Sequence, residues 1–166
     1  MSKSEQNLQE AFAGESQANR KYLAFSKKAE AEGYKNVAKL FRAAAAAETI
    51  HAHNHLRELG SVKSTAENLR QAINGESYEF QQMYPRMIAD ATSEGNEKAL
   101  RSFTFANEVE KIHAALYKKA LEGLSNGKGK DVDYYVCQVC GYTAEGMTPE
   151  NCPVCKASKK LFHKAE

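Results

Sequence analysis

The sequence predicts a mainly α protein: an antiparallel four-helix bundle followed by a small β/turn module held together by a metal. Three observations carry that expectation. Residues 1–122 are rich in Ala, Glu, Lys and Leu with a single Pro, which is helix-forming material. Gly33, Gly60, Gly95 and Gly123 punctuate this stretch into four long segments, each ending after a polar or charged run. All four Cys lie between Cys137 and Cys155, in a tail that changes to Tyr, Gly and paired Cys. The expected domains are therefore a bundle over 1–122, a Gly/Ser/Lys-rich linker over 123–133, and a metal module over 134–166.

Composition excludes several classes. Of 166 residues, 23 are basic and 21 acidic, so the net charge of +2 gives no reason to expect a nucleic-acid partner. The longest apolar run, Ala43 to Ala47, falls far short of the roughly 20 residues a membrane span needs. The first ten residues hold no apolar stretch, so no secretory signal is expected and a cytoplasmic location is the default. Disulfides would spread over the fold they staple; clustered Cys point to a metal knuckle.

The helices are expected at 4–32, 35–59, 65–93 and 97–122, with short turns after the first and third. Ser64-Thr65-Ala66-Glu67 reads as a capping box opening the third. Stripes at 3.6-residue spacing run through Leu8, Phe12, Tyr22 and Phe25, through Val37, Phe41 and Ala44, and through Leu69, Ile73, Phe80, Met83 and Met87. The fourth runs through Leu100, Phe103, Leu116 and Tyr117. These apolar positions are expected to form an ordinary bundle core. Pro85 is expected to kink the third helix.

Acidic residues interrupt the stripes, and they do so twice in the same pattern. Gly14-Glu15-Ser16 recurs as Gly75-Glu76-Ser77, and Glu48-x-x-His51-Ala52 recurs as Glu110-x-x-His113-Ala114. The motifs are 33 residues apart in the first half and 34 in the second, which reads as a duplicated helix pair. Counted from the turns, all four Glu lie roughly 22–28 Å from one end of the expected bundle. Carboxylates gathered in an apolar core repel one another unless they are protonated or bound to cations. One Glu from each of two helices, plus Glu-x-x-His from each of the other two, is the ligand set of carboxylate-bridged dinuclear bundles. Oxygen-rich ligation with two imidazoles favours iron or manganese over zinc.

Glu79, three residues beyond Glu76, adds a fifth carboxylate on that face; its counterpart by repeat is Ala18. Five carboxylates nearly balance two ferrous ions, or two ferric ions with a bridging oxide, so two electrons could be exchanged with little change in buried charge. Tyr22 and Tyr84 lie on core stripes beyond the Glu motifs, where packing is the default and a hydrogen bond to a metal-bound carboxylate the alternative. His53 and Glu108 are expected at the surface, and His55 packed or exposed.

Cys137-x-x-Cys140 and Cys152-x-x-Cys155, separated by 11 residues, form a four-thiolate site whose spacing suits zinc and iron alike. A neighbouring two-electron cluster needs a one-electron feed, which tilts the reading toward iron.

With both halves read, the chain resembles a rubrerythrin over essentially its whole length. The match rests on Ala13-Gly14-Glu15-Ser16 with Tyr22, Glu48-x-x-His51, Glu76-x-x-Glu79 with Met83-Tyr84-Pro85, and Glu110-x-x-His113-Ala114-Ala115-Leu116-Tyr117. The rubredoxin-like Cys137-x-x-Cys140-Gly141-Tyr142 and Cys152-Pro153-x-Cys155 complete it. The resemblance implies a ferritin-like bundle with a non-haem diiron centre ligated by Glu15, Glu48, His51, Glu76, Glu79, Glu110 and His113. It further implies a mononuclear iron at Cys137, Cys140, Cys152 and Cys155, with zinc as an alternative load. The implied activity is reduction of hydrogen peroxide to water. An external donor, a reductase or rubredoxin chain fed ultimately by NAD(P)H, would supply the electrons, and homodimers are usual. Glu48 and Glu110 would bridge the irons, and one iron would change ligand between Glu79 and His51 with redox state. Two other readings stay open on the residues alone: an iron-handling ferroxidase, and a non-catalytic helical scaffold with a structural zinc ribbon.

Overall fold

The structure, a computed structural model, describes residues 1–124 and 131–165. The expected linker at 123–133 therefore lies largely outside the described residues. The chain divides into two compact units, Met1–Lys63 and the residues from Ser64 onward. Among the described residues no helix is long and apolar enough to cross a membrane.

The first unit is an antiparallel pair, α1 (Lys3–Ala31) and α2 (Lys35–Glu58). A capping box starts α1: Ser2 Oγ accepts from the Glu5 amide at 3.2 Å while the Glu5 carboxylate accepts from the Ser2 amide. Gly33, at φ +85°, ends it in a Schellman turn, with the Tyr34 amide donating to the Ala29 carbonyl at 2.8 Å. The seam between the helices is alanine. Ala38, Ala45 and Ala52 recur every seven residues along α2 and are buried, as are Ser26 and Ala29 on α1. Side chains this small allow close approach, and Asn19 crosses the seam to donate to the Ala45 carbonyl at 2.7 Å and the Thr49 hydroxyl at 2.8 Å.

The stripes expected as a sealed core are not sealed. Leu8, Phe12, Tyr22 and Phe41 are half-buried, while Phe25 and Val37 are exposed. Two helices bury only the seam between them, so bulky side chains flanking an alanine seam keep one side open. Tyr22, Phe25 and Phe41 pack ring against ring there, with centroids 5.5–6.4 Å apart.

The second unit opens with the expected capping box, Ser64 Oγ accepting from the Glu67 amide at 3.4 Å. Its first rod is not one α-helix. It runs as α3 (Thr65–Tyr78), a π-helical turn (Glu79–Met83) and α4 (Tyr84–Ser93), and returns as α5 (Glu97–Leu124). Gly95, at φ +65°, makes the same Schellman turn as Gly33, and Pro85 sits in the first turn of α4, where its missing N–H costs little. The irregularity expected at Pro85 thus begins at Glu79. The repeat supplies the reason. Gly33 follows Glu15 by 18 residues and Gly95 follows Glu76 by 19, while each next Glu lies 15 beyond its glycine. Tyr22 follows Glu15 by 7 and Tyr84 follows Glu76 by 8, which confines the extra residue to the stretch before Tyr84. The π turn absorbs it, the Tyr84 amide donating to the Glu79 carbonyl five residues back. Helix α5 runs through the stop expected at Gly123, as far as Leu124.

The C-terminal module is a three-stranded antiparallel sheet in the order β2-β1-β3, from β1 (Tyr134–Cys137), β2 (Thr143–Glu145) and β3 (Phe162–Lys164). Val136 pairs with Thr143 and with His163, which carries Cys137 to the end of the central strand.

Candidate metal centres

The knuckles are two copies of one turn. The Gly141 amide donates to the Cys137 carbonyl at 2.9 Å and the Lys156 amide to the Cys152 carbonyl at 3.0 Å. The residue after the second Cys is left-handed in both, Gly141 at φ +85° and Lys156 at φ +64°. Cys137 and Cys152 are buried; Cys140 and Cys155 are half-buried. The Sγ atoms of Cys137 and Cys155 are 3.6 Å apart and those of Cys140 and Cys152 3.5 Å apart. A disulfide needs about 2.05 Å, whereas four thiolates about 2.3 Å from one tetrahedral ion lie about 3.8 Å apart. The spacing fits a metal. Burial raises the thiols of Cys140 and Cys155; it opposes ionisation of Cys137 too, but amides of Cys140 and Val139 bring that thiol below its ordinary value.

The helical units each gather a Glu-Glu-His triad. In the first, His51 Nδ1 lies 2.8 Å from Glu48 Oε2 and 3.9 Å from Glu15 Oε1. In the second, His113 Nδ1 lies 2.8 Å from Glu110 Oε2 and 3.9 Å from Glu76 Oε1. The geometry repeats to a tenth of an ångström, as the sequence repeat requires. Atoms bound about 2.1 Å from one first-row ion lie about 3.0 Å apart when adjacent and about 4.2 Å apart when opposite. The His–Glu separations in each triad, 2.8 and 3.9 Å, lie near those values, so each set of residues suits one ion, with the i, i+3 Glu and His supplied by one helix face.

The environments differ. The His51 side chain is 53% exposed and that of His113 26%, so the first imidazole does not face a core as expected. Glu76 is pushed up to about 7 by burial, a hydrogen bond to Glu110 and that residue's charge, with His113 opposing. Burial, then Glu76, raises Glu79 as well, and burial raises Glu110. Glu79 therefore belongs electrostatically with the second triad, although it stands outside the cluster of three ligand atoms.

Of the two Tyr candidates, Tyr84 packs against Phe103 with centroids 6.3 Å apart, and burial and the charges of Glu110, Glu79 and Glu76 raise its phenol. Tyr22 sits in the aromatic packing of the first unit. Tyr117, expected as a stripe residue and as the end of the Glu110 motif, is raised by burial and by Glu76 and Glu110; lying two turns beyond Glu110 on the same face is the signal that marks it. His53 is exposed, His55 half-buried, and Glu108 exposed beside Lys111.

Against known families, residues 6–121 match the rubrerythrin model and residues 135–163 match the rubrerythrin rubredoxin-like domain. The chain belongs to the rubrerythrin family. Rubrerythrin-2 of Clostridium acetobutylicum is 37% identical across 93% of this chain and 92% of its own. Nigerythrin of Nitratidesulfovibrio vulgaris is 39% identical across 95% of this chain and 84% of its own. Solved structures of nigerythrin in its mixed-valence and fully reduced, all-ferrous states align with TM-scores of 0.59 and 0.60 at 36% and 35% identity. Each alignment covers 99% of this chain and 88% of the other. Membership makes this rubrerythrin an iron-centred oxidoreductase of oxidative-stress defence, with a diiron site and a rubredoxin-like Cys₄ site.

Proposed function

We propose that this rubrerythrin is a non-haem diiron peroxidase that reduces hydrogen peroxide to two waters, consuming two electrons and two protons. The observation that carries the reading is the twofold recurrence of one Glu-Glu-His geometry, which supplies matched ligands for two ions of the same kind. The ligand set is Glu15, Glu48 and His51 for one iron and Glu76, Glu110 and His113 for the other, with Glu79 adjacent. Iron held by these residues would supply two electrons to the substrate, and iron held by Cys137, Cys140, Cys152 and Cys155 would be a one-electron carrier.

The chain's own groups do the rest. Glu79 is half-buried beside the second triad, and its raised carboxyl is suited to hold a proton and pass it to a departing oxygen. Tyr84 and Tyr117 lie within electrostatic reach of the same carboxylates, burial and those charges raising both phenols. An external donor refills the thiolate site, and the working form is a homodimer in the cytoplasm. The test is anaerobic stopped-flow mixing of the reduced, iron-loaded protein with hydrogen peroxide. The proposal expects rapid oxidation by one equivalent, followed by re-reduction when donor is supplied. Oxidation by oxygen with no faster reaction toward peroxide, accompanied by iron uptake into a large assembly, would favour ferroxidase chemistry instead.

A further inference from the structure

The two triads share their carboxylate geometry but not the setting of their imidazoles. His113 is held at both ring nitrogens: Nδ1 faces Glu110, and Nε2 lies 3.0 Å from Thr143 Oγ1 on β2. Thr143 Oγ1 also lies 3.2 Å from the Gly141 carbonyl. A metal on Nδ1 would leave the ring proton on Nε2, to be donated to Thr143 Oγ1 while the hydroxyl donates to the Gly141 carbonyl. That chain supports the tautomer an Nδ1 ligand needs, with the proton on Nε2. Among the described residues, His51 has no corresponding partner on Nε2.

The hydroxyl is presented by a rigid element. Thr143 pairs with Val136, next to Cys137 on the central strand, and Gly141 directly follows Cys140. The module is seated on α5 at two further points. Lys119 of α5 pairs with Glu145 at the far end of β2, and Val109 of α5 lies beside Gly141. Thr143 therefore stands between the Cys137-x-x-Cys140 knuckle and an imidazole of the second triad, within one chain.

We propose that Thr143 is a positioning residue for the metal at the second triad. Its hydroxyl fixes His113 as an Nδ1 donor and makes the readiness of that ligand depend on the folded cysteine module. This rests on the reading of His113 as a metal ligand. Partners that orient a ligating imidazole are worth about 10–100-fold in metal affinity.

The test is cobalt(II) affinity, measured by chelator competition on the full chain with zinc in the cysteine site, for wild type, Thr143→Val, Thr143→Ser and His113→Ala. Thr143→Val should weaken one of the two helical sites by about 10–100-fold, Thr143→Ser should restore it, and the site containing His51 should be unchanged. In the His113→Ala background, Thr143→Val should have no further effect. Thr143→Ala replaces Thr143→Val should circular dichroism show β2 disturbed. If His113→Ala leaves both cobalt sites intact, the ligand assignment itself fails. If His113→Ala weakens a site but Thr143→Val does not, or Thr143→Ser fails to rescue, the ligand reading stands and the role of Thr143 is overturned.

Discussion

Replacing Glu76 by Gln removes a proton that an incoming cation must otherwise displace. Burial and the neighbouring Glu110 carboxyl hold Glu76 protonated up to about pH 7 in the metal-free protein. A metal needs the carboxylate, so binding at the second triad releases that proton. A group of that pKa is roughly nine-tenths protonated at pH 6 and one-tenth at pH 8, so apparent affinity rises about tenfold across the interval, or about 1.4 kcal/mol. Glu79 and Glu110 are raised in the same direction and steepen the dependence. The assay is cobalt(II) titration by chelator competition at pH 6, 7 and 8, with proton release measured by calorimetry in buffers of different ionisation enthalpy. Wild type should show a rise of tenfold or more; Glu76→Gln should bind more weakly throughout, with a shallower slope. Parallel slopes would refute the assignment of the proton to Glu76.

Four further outcomes follow from the same geometry. In the metal-free protein Glu76 binds its proton more tightly folded than unfolded, where its value is 4.5, so its contribution to stability is full below that pH and is lost as pH rises through about 7; urea midpoints should fall across this window in wild type and less in Glu76→Gln. Lys156 holds a left-handed backbone that a side chain disfavours by about 1 kcal/mol, so Lys156→Gly should raise the temperature at which the thiolate absorption bleaches. Cys140→Ser should abolish the rubredoxin-type spectrum and slow re-reduction, while leaving one stoichiometric oxidation by peroxide intact. Glu79→Ala should alter turnover or the spectrum of one iron, and normal values of both would dismiss its role beside Glu76.

Much of this was legible because the chemistry is periodic. Glu48-x-x-His51 and Glu110-x-x-His113 place ligands one helical turn apart, and the structure returns identical distances for both. The capping box at Ser64 and the turns at Gly33 and Gly95 are local chain geometry, which composition encodes directly. The π turn was present as arithmetic, one residue more in the second half than in the first, but a count does not say where a helix absorbs it. Pro85 suggested a different place because its ring is the commoner cause of a kink. The exposure of Phe25 and Val37 was hidden, since periodicity marks an apolar face without saying what lies against it. The contact of Thr143 with His113 spans 30 residues and two kinds of secondary structure, so no local pattern announces it.

The central claim is that acidic side chains converge because cations hold them, and metal analysis with Mössbauer spectroscopy of the iron-replete protein tests it most directly. The expected result is three irons per chain, two as a coupled non-haem pair and one as a tetrahedral thiolate site. A protein that binds a single zinc at its cysteines, with no coupled iron pair after anaerobic loading, would contradict it.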